Sequence, residues 1–264
     1  MSNEDWSSFK KSLSLQFRVI GALLMREVIT RYGRHNLGFL WLLMEPIMFT
    51  VGVIILWSTF HTTAGFHIEV VPFIVTGYSS LLLWRICSFR GIKSIEANRS
   101  LMHHRQVKVQ DIFYARMLLD VAGVTASFLF LIVVMMGMGL MHIPADPLLL
   151  ITGWFFMSWF SACLGIILGC LSEHSDLVER IWHPANYFML PISGVFFMVD
   201  WLSTSLQKLV MWVPMVHPIE MMRGGYWGTA VPTHFQLGYI SLICLLMTLT
   251  ALLLMADRRM KMLV

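Results

Sequence analysis

A chain of 264 residues that is 57% apolar and only 13% charged, with a mean hydropathy of +0.71, is too poor in charge for a soluble globular domain, where about a quarter of residues are charged. Its net charge of +4 makes no case for nucleic-acid binding, because the basic residues flank apolar blocks and serve to anchor them at an anionic membrane face. Cys87, Cys163, Cys170 and Cys244 show neither CxxC nor metal-ligand spacing and read as packing thiols; no metal site is expected.

In chain order, the first apolar run, Val19 to Met25, is cut off by Arg26 and Glu27 with no small-residue cleavage site after it, so no segment is expected to be removed. From Leu13 onward, Leu13, Phe17, Ile20, Leu24 and Val28 recur at helical spacing, with Gln16, Arg18, Arg26, Glu27, Thr30 and Arg34 mostly opposite. This predicts a basic amphipathic helix over 13–34 lying in the membrane interface, either as a lipid anchor or as a docking surface for a cytosolic partner.

Apolar blocks then follow at 37–60, 70–91, 112–141, 148–171, 184–200 and 237–256, most of them near the ~20 residues a bilayer core requires. Backbone amides in lipid must be satisfied within the segment, and the blocks lack the alternation of barrel strands, so the predicted fold is an all-α integral membrane domain of six helices. The fifth is the shortest. With both termini cytoplasmic, every Lys and Arg except Lys208 and Arg223 falls on the inner side, which sets the orientation.

The connector SFRGIKSIEANRSLMHHRQVKVQD (88–111) carries a short helix start around Ser94 and Glu96. It is either a solvated loop or a lever that receives force. The inner loop 171–183 is acidic, and its Glu173, Asp176 and Glu179 could meet basic residues of a partner or of the interface helix. The outward segment 201–236 is too apolar for a free loop; Pro214, Pro218 and Gly224-Gly225 are expected to break it into re-entrant half-helices.

No GxxxxGK[ST], HExxH or GxSxG pattern is present, so the chain cannot hydrolyse ATP by itself. Ionisable residues within the apolar blocks are few: Glu45, Arg85, and Arg116 with Asp120 at i,i+4. Ion pairing near the inner interface suits the last two, whereas Glu45 is open as an acceptor for the interface helix's arginines or as part of a polar pathway. Ser161, Gly165 and Gly169 have the spacing of close helix contact, within a subunit or across a dimer. Trp57, Trp84 and Trp201 fit an interfacial aromatic belt. Trp41 and Tyr78 lie deeper and, with Phe49, Tyr187 and Phe197, could stack on sugar rings through their C–H groups.

The stretch REVITRYGRHNLGFLWLLMEP (26–46) resembles the opening of the membrane subunits of Gram-negative capsular polysaccharide exporters, the KpsM-type permeases of the ABC-2 class. VPMVHPIEMMRGG (213–225) is similar to the Pro-His-x-x-Glu-x-x-x-Arg region of ABC-2 permeases, with Glu220-x-x-Arg223 spacing here. The resemblance covers nearly the whole chain as a single transmembrane domain, 1–264. It implies a homodimer enclosing a channel over a separate ATPase subunit that binds ATP and Mg, no cofactor in this chain, and an anionic lipid-linked capsular polysaccharide as cargo. It also implies a periplasmic adaptor of the polysaccharide co-polymerase type and an outer-membrane exporter as onward partners.

On that resemblance, 13–34 is the interface helix and 93–106 the coupling helix, with Arg26, Arg31, Arg34, Ser94, Glu96, Arg99 and His103 in contact with the ATPase. Residues 201–230 are periplasmic gate helices with Trp212, Pro214, Pro218, Glu220 and Arg223. Trp41, Glu45, Phe49, Tyr78, Trp84, Arg85, Tyr187 and Phe197 line the channel, and Arg34, Arg85 and Arg90 are open either to polymer or to plain membrane anchoring. The competing readings are an ABC-2 permease for O-antigen or teichoic acid, an ion-coupled secondary carrier, which the shortage of midplane carboxylates opposes, and a non-transporting scaffold, which the broken segment 201–230 opposes.

Overall fold

The computed structural model describes residues 3–32, 37–60, 68–96, 98 and 107–262, and these are helical with no strand among them. The helices are α1 (Asn3–Tyr32), α2 (Leu37–Phe60), α3 (Val70–Gly91), α4 (Val109–Gly137), α5 (Pro147–Ser172), α6 (Leu177–Met189), α7 (Thr204–Val210), α8 (Val216–Trp227) and α9 (Leu237–Met262). Among the described residues, α3, α4, α5 and the Leu237–Asp257 part of α9 are long and apolar enough to cross a membrane, and α2 contributes a shorter apolar stretch, Leu43–Thr59.

The bundle is organised around α5, which packs on α3, α8 and α9. Local sequence sets its start: the Asp146 carboxylate accepts from the Leu149 amide at 3.1 Å, and Pro147 occupies a position whose N–H would be unpaired in any case. The Gly165 and Gly169 spacing is used within the chain. A Cβ at Gly165 would stand 2.5 Å from the Cys87 carbonyl oxygen of α3, and one at Gly169 would stand 2.5 Å from that of Gly91. Only glycine admits this crossing. The four cysteines are free and buried, in line with packing thiols.

Inside α2, Pro46 withholds a backbone N–H, as proline must. Ser127 of α4 donates its hydroxyl to the Leu43 carbonyl at 3.0 Å, in the turn that this gap weakens. The outer face of α9 is a row of exposed leucines, Leu242, Leu245, Leu249 and Leu253 among them, as suits a surface turned to lipid.

Three expectations need correction. The apolar block 184–200 is not one helix: α6 ends at Met189, and 190–198 runs as turns around Pro191 and Gly194, whose φ of +82° lies in the left-handed region. The segment 201–230 does break in two, but at 211–215 alone. Pro218 sits in the first turn of α8, where a missing N–H costs nothing, and Gly224-Gly225 continue the helix. Their role is close approach, since a Cβ at Gly225 would stand 2.8 Å from the Asp146 carbonyl oxygen. Helix α1 begins ten residues earlier than predicted; Ile20, Leu24 and Val28 turn inward, but Phe17 is 67% exposed and off the expected stripe.

Candidate functional site

Glu45 and Phe49 stand one turn apart on α2, and Tyr78, Arg85 and Phe89 recur down one stripe of α3. With Arg90 they line a cleft of about 320 Å³. The Arg85 guanidinium donates to the Tyr187 hydroxyl of α6 at 3.4 Å and lies 5.3 Å from the Tyr187 ring and 5.9 Å from that of Phe89. No carboxylate pairs with it among the described residues. Arg90, in contrast, is committed: it meets the fully buried Asp120 carboxylate of α4 at 2.8 Å and Glu45 at 3.7 Å.

The cleft therefore brings together four of the eight predicted channel residues, Glu45, Phe49, Tyr78 and Arg85, and a fifth, Tyr187, reaches it through Arg85. Trp84 is elsewhere: it is wholly buried and edge-on to Trp182 at 6.1 Å. Phe197 belongs to a small apolar cluster with Val199, Val210 and Val216. Trp41 projects from α2 with 56% of its surface exposed. Arg116 and Asp120 do not pair with one another across their shared helix face; Arg116 meets Glu27 of α1 at 3.1 Å while Asp120 takes Arg90. Each takes a tertiary partner in place of the i,i+4 contact.

A second polar group is built on one face of α8, from His217, Glu220 and Arg223. The buried Arg223 guanidinium donates to the carbonyl oxygens of Gly194 at 2.7 Å, Val195 at 2.7 Å and Phe197 at 2.6 Å, and lies 4.1 Å from the Phe73 ring centre. Those carbonyls belong to the irregular stretch after α6, which has no helical ladder to pair them. Glu220 does the complementary job for amides, accepting from Val199 at 3.3 Å and His234 at 3.1 Å. His217 accepts from the Gln236 amide at Nδ1, 3.0 Å, so its Nε2 carries the proton and donates to the Met211 carbonyl at 3.0 Å. Three irregular strips of backbone are satisfied from one helix. The predicted gate residues divide accordingly: Pro218, Glu220 and Arg223 are buried, Pro214 is half-buried in the break, and Trp212 is 74% exposed.

At the far end of α3, the connector turns at Lys93, with a φ of +54°. Its amide donates to the Ser172 hydroxyl at 3.0 Å and its ammonium meets Glu179 at 2.8 Å and Asp176 at 3.9 Å. Among the described residues, Asp176 and Glu179 of the acidic loop thus find their cation in this connector. The Glu179 hydrogen bond raises the Lys93 ammonium above its ordinary range, and the same bond holds the Glu179 carboxyl below the usual carboxylate range. Of the predicted coupling residues, Ser94 is buried, Glu96 is exposed with its amide donating to Glu173 at 3.1 Å, and Arg26 donates to the Asn98 side chain at 3.0 Å. Arg34, Arg99 and His103, and the side chain of Arg31, lie outside the described residues.

Sequence reasoning missed Lys93 and the trio of Glu69, His142 and Tyr226, joined by a 3.3 Å ion pair and a 2.8 Å bond from the His142 amide to the Tyr226 hydroxyl. The sign complementarity of the two inner loops was the available signal for Lys93; nothing local marked the trio.

Residues 18–227 match the model of the ABC-2 type transporter family. The chain is 40% identical to the capsule polysaccharide export inner-membrane protein BexB of Haemophilus influenzae over 91% of each chain. It is 41% identical to the capsule polysaccharide export inner-membrane protein CtrC of Neisseria meningitidis serogroup A over 93% of each, and 25% identical to the polysialic acid transport protein KpsM of Escherichia coli over 89% of this chain and 92% of that one. A family model that takes in α2 through α8, together with relatives aligned almost end to end, places the chain in the ABC-2 type transporter family as a membrane permease subunit.

Proposed function

We propose that this chain is the transmembrane subunit of an ATP-driven exporter that moves lipid-linked anionic capsular polysaccharide across the bacterial inner membrane. The observation that carries the reading is the near-complete alignment with capsule export proteins. The geometry adds a cation, Arg85, framed by Phe89 and Tyr187 in a cleft beside Glu45 and Tyr78, which suits a chain of acidic sugars: the guanidinium takes a carboxylate or phosphate and the rings take C–H faces.

In this reading two copies enclose the channel, both termini are cytoplasmic, and six passes are made, the fifth by α6 with the turns that follow it. Helices α7 and α8 are the re-entrant periplasmic pieces. ATP and Mg belong to a separate cytosolic ATPase subunit, which docks against α1 and the connector after α3, where Arg26, Arg31, Arg34, Ser94, Glu96, Arg99 and His103 lie. The connector is tied to α1 through Arg26–Asn98 and to the 173–179 loop through Lys93 and Glu96. A push there reaches α3, whose stripe carries the cleft. A periplasmic adaptor and an outer-membrane exporter receive the polymer.

The test is complementation of capsulated cells that lack this chain, scoring surface polysaccharide together with ATPase rate in isolated membranes. Arg85→Ala is expected to lower export several-fold while the ATPase subunit still co-purifies, and Trp41→Ala to do so more weakly. Wild-type export in Arg85→Ala removes the cleft from the path, and failure of any ATPase to co-purify in mild detergent removes the energy source.

A further inference from the structure

Only Lys208 and Arg223 depart from the inner clustering of basic residues. Arg223 is accounted for by the three backbone carbonyls it holds. Lys208 is not: it is exposed on α7 and, among the described residues, has no carboxylate partner. Among the described residues, His142 faces Glu69 at 3.3 Å and His234 faces Asp200 at 3.5 Å.

Lys208 sits in the rim of a pocket of about 500 Å³, larger than the Arg85 cleft, lined also by Gln207, Trp212, His234, Gln236 and Tyr239. Trp212 lies four residues after Lys208, in the turn past the end of α7, and offers a ring that is 74% exposed. The wall opposite is fixed in place: Tyr239 donates its hydroxyl to the Trp212 carbonyl at 2.7 Å, and the Gln236 amide is bound to His217 at 3.0 Å. Gln207 spends its amide N–H on the Leu202 carbonyl at 3.0 Å, which leaves its oxygen as an acceptor, and the exposed Gln236 side chain adds a donor and an acceptor. One unpaired cation, one open aromatic face and side-chain amides around a rigid, solvent-open hollow match a single acidic sugar: carboxylate or phosphate on Lys208, ring on Trp212, hydroxyls on the amides.

We propose that this pocket is a second sugar-binding subsite, taking an acidic sugar unit of the polymer on the side opposite the Lys93 connector. It rests on the exporter reading and its orientation. It adds a holding point after the Arg85 cleft, so that a polymer leaving the channel stays engaged and cannot slip back between strokes.

The full-length chain in phosphatidylcholine nanodiscs is titrated with tetragalacturonic acid and with neutral maltotetraose, for wild type, Lys208→Gln, Lys208→Arg, Trp212→Ala and Trp212→Phe. Both residues are exposed, so folding is unaffected, and this is checked by gel filtration. Wild type is expected to prefer the acidic tetramer, and Lys208→Gln to lose roughly tenfold in its affinity, about the worth of one charge-assisted hydrogen bond. Lys208→Arg restores it; Trp212→Ala weakens both sugars and Trp212→Phe recovers them. Equal binding by wild type and Lys208→Gln overturns the proposal. So does protection of Lys208 from acetylation by phosphatidylglycerol, added to a parallel set of discs, but not by the tetramer, which makes the lysine a lipid-headgroup anchor. Wild-type complementation of capsule export, run alongside, reports on the exporter reading separately: its failure with acidic-sugar binding intact removes the cargo, not the pocket.

Discussion

Replacing Arg223 by methionine keeps a long apolar stem and removes the charge and every donor. Three buried carbonyls, those of Gly194, Val195 and Phe197, lose bonds of 2.6–2.7 Å, and Glu220 loses the cation 3.7 Å away. A hydrogen bond to a charged group contributes about 1.5–3 kcal/mol net, so three give roughly 4.5–9 kcal/mol before water enters the vacated space and returns part of it. Breaking a buried ion pair costs about 3–5 kcal/mol by an independent route. The two meet near 5 kcal/mol, a large share of the roughly 5–15 kcal/mol that holds a domain folded. Because the lost partners are confined to 194–197, the loss appears first as local opening of the segment between α6 and α7. The assay is protease nicking in 190–203 together with SDS titration of the purified chain in mixed micelles. Glu220→Gln in the Arg223→Met background is expected to cost less than the two single changes added, because the carboxylate left behind is no longer an unpaired charge. A cost for Arg223→Met below about 1 kcal/mol, or strict additivity with Glu220→Gln, refutes the staple.

Four further outcomes follow from the geometry. Gly77→Ala puts a Cβ 2.8 Å from the Val195 carbonyl oxygen and 2.9 Å from Arg223 Nη2, so it is expected to cost about 1–3 kcal/mol as overpacking and to increase the same nicking. Ser127→Ala removes the donor to the Leu43 carbonyl and should cost about 0.5–1.5 kcal/mol by the same SDS titration, with Ser127→Thr recovering part. Arg90→Leu takes the 2.8 Å partner from a fully buried carboxylate and is expected to cost about 3 kcal/mol, against well under 1 kcal/mol for Glu45→Gln, whose carboxylate is 39% exposed and 3.7 Å away. For the Lys93–Glu179 pair, the Glu179 carboxyl is depressed and so stabilises the loop contact above its ordinary range near 4.5, a contribution lost as pH falls through the lower folded value. Hydrogen exchange at 173–180 should rise on acidification in wild type and be already raised at pH 7 in Lys93→Ala.

The sequence by itself determined that the chain is a helical membrane domain, and it marked most of the helices to within a few residues, because lipid forces every crossing to satisfy its own backbone and so prints the crossing as an apolar block. The expected orientation rests on the basic residues, whose place depends on charge and local burial, both local properties. Four channel candidates line one cleft, since Tyr78 and Arg85, and separately Glu45 and Phe49, share stripes that helical spacing alone reveals. What tertiary structure decided is where a pattern could be satisfied in more than one way. Residues 184–200 are apolar enough for a helix, yet the chain leaves the helix after Met189, because Arg223, far along the sequence, can take the carbonyls of the irregular stretch at 194–197. Gly224-Gly225 look like a break and serve as a contact, because Gly225 admits the backbone at the start of α5 and Gly224 the Thr233 side chain. Asp120 had Arg116 one turn away and took Arg90 instead. Hydrogen bonds and ion pairs go to the partner with the best geometry in three dimensions, and sequence spacing orders only those that stay on one helix.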